Sequence, residues 1–183
     1  MGWCDWRFGV FEAKPMIEMK VAGIGLDPGT RSSVLLLKDG TGRRALPIYI
    51  GPDQASAITS VLEHKIPPRP TTHDVLINTL DAWDLTLNKV VIHTLRDNTF
   101  YAVMVVTQGE QKREIDTRPS DAIALAVRAN CPIWVMEEVL ADASIPVDRD
   151  ADEADQQAFR DFVSNISPSD LVKRASQTRR DEQ

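Results

Sequence analysis

Two stretches of this chain pass through the same order of elements, and that repetition limits the folds open to it more than any other feature. The first runs Met19-Lys20-Val21-Ala22-Gly23-Ile24, turns at Asp27-Pro28-Gly29, and continues as an apolar strand over residues 34–37. It turns again at Asp39-Gly40, forms a third strand over residues 45–50, and opens a helix at Pro52-Asp53. The second takes strands over residues 89–95, 100–106 and 113–116, with turns at Asp97-Asn98 and Gln108-Gly109, and opens a helix at Pro119-Ser120-Asp121. Short apolar runs bounded by Gly, Asp and Asn are the pattern of strands joined by tight turns. The helix starts match by residue type: Pro52-Asp53-Gln54-Ala55-Ser56-Ala57-Ile58 lies over Pro119-Ser120-Asp121-Ala122-Ile123-Ala124-Leu125. Proline at the first helical position, with acid in the first turn, suits the helix dipole. A further helix over residues 72–83 joins the halves. Hairpins followed by helices predict an α+β fold. The expected form is a duplicated strand–strand–strand–helix repeat around one core, with a linking helix and a C-terminal helical tail. Val34, Leu36, Ile48, Ile58, Val91, Val103, Ile123 and Val127 are the expected core.

The two halves occupy residues 16–141, and both ends look separable from them. Residues 1–15 carry Trp3, Trp6, Phe8 and Phe11 with no period and read as a disordered extension; the competing reading is an anchor whose aromatics fill a groove. Residues 142–183 read as an acidic linker, a helix with Phe159, Phe162, Val163 and Ile166 at helical spacing, and a disordered polar end. A length of 183 residues with 43% apolar side chains fits one packed domain and an appendage. Net charge is −6, from 21 basic and 27 acidic residues. That argues against coating nucleic acid through bulk charge, but it leaves room for a local basic patch. No apolar run approaches the roughly 18–20 residues of a membrane span, and the start has no leader pattern, so no membrane association is expected. Cys4 and Cys131 lie far apart without a CxxC context, which excludes a disulfide framework and a cysteine zinc site. A reducing, cytoplasmic compartment is expected.

Two polar clusters interrupt the core-like sequence: Pro68-Arg69-Pro70-Thr71-Thr72-His73-Asp74 and Asp116-Thr117-Arg118-Pro119-Ser120-Asp121. Each pairs an arginine with proline and places hydroxyls and a carboxylate at a helix start. Helix capping explains much of this: Thr71 or Thr72 as N-cap with Asp74 in the first turn, and Ser120 and Asp121 likewise in the second helix. Arg118 beside Asp116 is equally a plain salt bridge. The same geometry serves chemistry. A helix N-terminus with an adjacent arginine receives phosphate, which makes Arg118, Arg69 and Ser120 the phosphate-binding candidates. Asp116 and Asp121 are candidate ligands for a divalent cation, Mg or Mn, and with Asp74 and His73 they form the catalytic candidates. Histidine titrates near neutrality and suits general acid–base work. His64 and His93 rank lower; His93 alternates with Val91 and Leu95 and reads as a sheet residue.

These clusters resemble the bifunctional nuclease family. The resemblance rests on Leu46-Pro47-Ile48-Tyr49-Ile50-Gly51, on both clusters above, with the second extended through Ala122-Ile123-Ala124-Leu125-Ala126, and on Pro132-Ile133-Trp134-Val135 with Glu137-Glu138-Val139-Leu140. It covers about residues 16–141. The resemblance implies an α+β domain of two strand–strand–strand–helix repeats and nuclease activity on both DNA and RNA.

Two functions are therefore weighed: a nuclease that hydrolyses phosphodiester bonds with a divalent cation, and a non-catalytic regulatory or anion-binding module acting as a homo-oligomer. The nuclease needs Asp116, Asp121 and His73 or Asp74 to converge on one open cleft, whereas the binding module tolerates them apart or paired. If Asp116 serves catalysis, Asp116→Asn should remove cleavage with little change in melting temperature. If it serves only as the salt-bridge partner of Arg118, the melting temperature should fall and cleavage should follow the amount of folded protein.

Overall fold

A computed structural model describes residues 14–27, 29–65 and 67–147. The proposed extension through residue 13 and the helical tail from residue 148 lie outside the described residues. Three strands open the chain: β1 (Met16–Leu26), β2 (Ser33–Asp39) and β3 (Arg44–Ile50). Helices α1 (Pro52–Leu62) and α2 (Thr72–Ala82) follow. The second set is β4 (Thr86–Arg96), β5 (Thr99–Gln108) and β6 (Gln111–Thr117), and helix α3 (Pro119–Ala129) comes next. β7 (Ile133–Met136), α4 (Glu137–Ala143) and β8 (Ile145–Pro146) complete the described chain. The strand–strand–strand–helix order thus occurs twice, and the fold is α+β. Local chemistry explains the turns. Asp97 and Asn98 both take positive φ, 49° and 58°, the conformation a two-residue hairpin turn requires. Asn130 closes α3 in the left-handed region at φ 52°.

The eight strands form one mixed sheet in the order β6-β5-β4-β7-β1-β2-β3-β8. Each meander is antiparallel internally. β7, for which the repeat pattern gives no place, inserts between them, parallel to β4 and antiparallel to β1. Pairing continues beyond residue 141: β8 adds to the outer edge of β3 through Arg44 and Ala45. The connection β6–α3–β7 is a crossover between parallel strands that skips β5 and β4. α3 must therefore lie across those two strands, and it packs on both of them and against α1 and α2. Its run Ala122-Ile123-Ala124-Leu125-Ala126 is buried throughout. The alternating alanines let a helix with neighbours below and on both flanks approach closely.

The main core lies between the sheet and the helices. It includes Leu35, Leu37, Leu46, Ile48, Ile58, Val90, Ile92, Met104, Ile123, Val135 and Leu140. The opposite face carries a smaller cluster of Val91, Val103 and Val105, packed with Met16 and Trp134. Five of the eight expected core residues are buried as anticipated: Ile48, Ile58, Val91, Val103 and Ile123. Val34, Leu36 and Val127 are only half-buried. In β2 the cause is register. Val34-Leu35-Leu36-Leu37 has no alternation to mark a face, and pairing with β3 places Leu35 opposite Ile48 and Leu37 opposite Leu46. Leu35 and Leu37 therefore point into the helix-side core, while Val34 and Leu36 point the other way.

This assignment has a direct test. Leu35→Ala should lower unfolding free energy by about 3 kcal/mol, the usual cost of a buried leucine truncation. Val34→Ala should cost less than about 1 kcal/mol. Urea denaturation of both variants checks the phase of β2, and equal losses would contradict it.

Candidate active site

The two polar clusters meet at one end of α3. β6 ends at Thr117, Arg118 occupies the N-cap position of α3, and Pro119 takes the first helical position. The local sequence leaves this helix start open: no side chain caps it. Ser120 and Asp121 do not cap α3 as the sequence suggested. Asp121 turns back on the N-cap residue, and Arg118 Nε donates to Asp121 Oδ2 at 2.5 Å. The other carboxylate oxygen, Oδ1, lies 3.7 Å from His73 Nε2 in the first turn of α2. Asp121 thus joins a residue of each cluster, although 48 positions separate it from His73 in the chain. His73 and Asp121 are largely screened from solvent, while the Arg118 side chain is 71% exposed.

These residues open into a cleft of about 880 Å3. Asp121, Leu125 and Arg128 of α3 line it at helical spacing. Asp53, Ala57 and Ser60 line it from α1, and Thr72, His73 and Leu76 from α2. α3 packs against both other helices, so its outer face forms the floor and α1 and α2 form the walls. Asp53 and Asp121, the acidic residues in the first turns of the two proline-initiated helices, both reach the cleft.

Asp74 has a different environment. Its Oδ2 accepts from the Thr71 amide at 2.7 Å and from the Thr71 hydroxyl at 2.6 Å. Its Oδ1 accepts from Arg128 Nε at 2.6 Å. Arg128 also donates to the Ala124 carbonyl and is almost fully buried. The Thr71 hydroxyl and then the Arg128 guanidinium hold the Asp74 carboxyl at a pKa of about 2, against the smaller opposing effect of burial. With both oxygens engaged, Asp74 ties the start of α2 to the last turn of α3 and so holds one wall of the cleft to its floor.

The other sequence candidates are dispersed. Asp116 borders the cleft by its place at the end of β6, but its ladder partner is Val103, which itself pairs with Val91. Directly paired residues share a face, so the Asp116 side chain lies on the face away from the helices. Its charge there raises the pKa of His93, against the larger lowering caused by burial. Asp116 and Asp121 therefore leave the β6–α3 corner on opposite sides, because strand side chains alternate and the corner falls between them. Arg69 is exposed in the loop before α2 and Ser120 is half-buried, and neither lines the cleft. His93 is a buried sheet residue whose Nδ1 lies 2.9 Å from Thr94 Oγ1. Burial pushes the Cys131 thiol up to about 11, far from a reactive thiolate. The sequence reading missed Arg128, whose signal was its place seven residues after Asp121 on one helix face. It also missed Asp53, marked by its place, like that of Asp121, in the first turn of a proline-initiated helix.

A divalent cation fits this arrangement poorly. Among the described residues, no three His, Cys, Asp or Glu side chains come together as ligands. His73 and Asp121 offer one nitrogen and one carboxylate, and one oxygen of that carboxylate already accepts from Arg118.

The model of the bifunctional nuclease domain matches residues 35–148, more than half of the chain. The chain belongs to the bifunctional nuclease domain family. Two uncharacterized proteins of Mycobacterium tuberculosis, one from each of two strains, are each 35% identical over 164 residues, covering 85% of this chain and 98% of the relative. Bifunctional nuclease 2 of Arabidopsis thaliana is 30% identical over 105 residues, covering 56% of this chain and 32% of the plant protein. The family match spans the whole cleft, from α1 through α3. Among the described residues, no helix is long and apolar enough to cross a membrane.

The depressed Asp74 carboxyl gives a pH-dependent test. A group whose native pKa lies below its unfolded value stabilises the fold above the unfolded pKa of about 4 and loses that effect as pH falls through about 2. Because Asp74 is partly exposed, we expect a contribution on the order of 1 kcal/mol. Asp74→Asn should be less stable than the parent by about that amount at about pH 7, with the gap closing between about pH 4 and pH 2. Denaturant titrations at several pH values check this; a gap that persists in acid would assign the loss to packing rather than charge.

Proposed function

We propose that the chain is a nuclease that hydrolyses phosphodiester bonds in DNA and RNA, and that the cleft above α3 is its active site. The observation that carries this reading is the convergence of His73, Asp121 and Arg118, drawn from two separate polar clusters, at an uncapped helix start inside an open cleft. Membership of a family described as bifunctional nucleases supports it. A phosphodiester carries one negative charge, and the Arg118 guanidinium and the free end of α3 are suited to hold its non-bridging oxygens. His73, with its Nε2 3.7 Å from Asp121 Oδ1, takes a proton from water. The water oxygen attacks phosphorus, the phosphorus–oxygen ester bond breaks, and the leaving oxygen is protonated from the resulting imidazolium or from solvent. Water as nucleophile requires no 2′-hydroxyl, which is consistent with action on both DNA and RNA. The expected setting is a reducing cytoplasm.

One observation favours the alternative, a non-catalytic module that binds a small anion. Arg118 pairs with Asp121 and Arg128 with Asp74, so much of the cleft's charge is neutralised within the protein. Cleavage of labelled single-stranded DNA and RNA by the purified protein separates the two readings, with arms containing Mg, Mn and a chelator. His73→Ala should lower kcat/KM by about 100-fold, in the range of general-base loss. Arg118→Ala should lower it by about tenfold or more through weakened phosphate binding. Asp116→Asn should leave activity per folded molecule within about twofold, given its side chain on the opposite face. Absence of cleavage by the parent protein in every arm would leave the binding module as the function.

A further inference from the structure

Beside the cleft, α2 and the edge strand β6 frame an open track. The two flanks of α2 differ. Ile77, Leu80 and Asp81 face a small cavity shared with Leu87, Arg128 and Ala129. The other flank carries Thr72, Leu76 and Thr79, with Trp83 just past the helix end, at spacings of four, three and four. Leu76 lines the cleft together with Met104 and Thr117, next to the end of β6. At the far end, Gln108 Nε2 of β5 donates to the Trp83 carbonyl at 2.9 Å. α2 therefore runs alongside the β5–β6 hairpin, from its Thr117 end to its Gln108 end.

β6 lies at the edge of the sheet. Its helix-side residues are those paired with core positions of β5: Thr117 with Ala102, Ile115 with Met104, and Arg113 with Val106. Ile115 is 42% exposed, Leu76 39% and Trp83 69%, and Arg113 is also exposed. An indole so open to water at the end of an amphipathic flank has no packing role that accounts for it. With an aliphatic strip beside it and Arg113 and Arg118 along one side, the surface offers a stacking plane, apolar contacts and cationic groups in one line. That combination matches a single nucleic-acid strand.

We propose that this track binds the single strand that enters the cleft, with Trp83 as a stacking platform for a base upstream or downstream of the cleaved bond. The proposal rests on the nuclease reading of the cleft and deepens it by naming single-stranded nucleic acid as the substrate form. His73 and Trp83 are ten residues apart on a helical path, which places the platform roughly 15 Å from the reacting phosphate. At a stacked rise of about 3.4 Å, that is about four nucleotides. A dinucleotide in the cleft cannot reach Trp83, whereas an octamer can.

The test is the ratio of affinities for fluorescein-labelled octathymidylate and dithymidylate, measured by anisotropy at low salt with the full chain. The parent should bind the octamer at least about tenfold more tightly, and Trp83→Ala should abolish about tenfold of that ratio. Trp83→Phe should restore most of it, because phenylalanine keeps the stacking plane. Ile115→Ser and Arg113→Ala should each reduce the ratio, which keeps the test decisive if Trp83→Ala folds poorly. A ratio unchanged in Trp83→Ala overturns the track. A Trp83→Ala variant that changes elution volume on a sizing column, with no change in the ratio, assigns the surface to protein association and also overturns it. Cleavage is scored separately. Length-dependent binding without cleavage sinks the nuclease reading and leaves the track, while cleavage without length dependence does the reverse.

Discussion

The insertion of β7 between β4 and β1 is the interaction on which the rest of the structure depends. It is four residues long, yet both of its edges are paired, and Ile133 and Val135 are buried against the helices. Without it, two three-stranded meanders would each present an open inner edge, a pairing liability that folded proteins avoid. Because β7 is parallel to β4, the chain leaving β6 must cross over both β5 and β4 to reach it. That crossover is α3. The burial of α3, its contacts with α1 and α2, and the location of its N-terminus at the sheet end all follow from where β7 pairs.

The cleft follows from the same constraint. A helix held against the sheet with neighbours on both flanks leaves one outward face, and along α3 that face carries Asp121, Leu125 and Arg128. One wall is held to the floor through charge. Arg128 reaches from α3 to Asp74, which also secures the first turn of α2 through Thr71. A guanidinium as buried as that of Arg128 is costly to take from water, and its contact with the partly exposed Asp74 carboxylate offsets that cost only in this geometry. Here the result is a fixed distance between α2 and α3, and hence the approach of His73 to Asp121. Asp74 and Asp121 sit at helix starts in similar sequence surroundings but do different work. One has both oxygens engaged and braces the cleft. The other bridges a histidine and an exposed arginine at its mouth.

Much of this was legible in the sequence, and the failures have physical causes. Both meanders, the three longer helices and the hairpin turn at Asp97-Asn98 could be read from apolar runs and turn residues, because those signals are local. The face of β2 could not, because four consecutive apolar residues carry no alternation and only pairing with β3 selects Leu35 and Leu37. The grouping of Asp116 with Asp121 rested on nearness along the chain. It did not allow for the alternation of side chains along β6, which sends Asp116 toward His93 on the other face. Arg128 escaped the sequence reading because its partner, Asp74, lies 54 residues away in the chain.

The sequence by itself determined the strand–strand–strand–helix order of each half, the α+β class, the proline-initiated helices and the two polar clusters from which the candidate site is drawn. Those are properties of short windows, governed by side-chain periodicity, turn conformation and helix-end chemistry. Only the tertiary structure decided that β7 joins the halves, that His73 meets Asp121 while Asp116 does not, and that α2 leaves Trp83 exposed beside an edge strand. Each of these depends on strand register and on contacts between residues far apart in the chain, where free energies of packing and pairing choose among arrangements that local sequence leaves equally open.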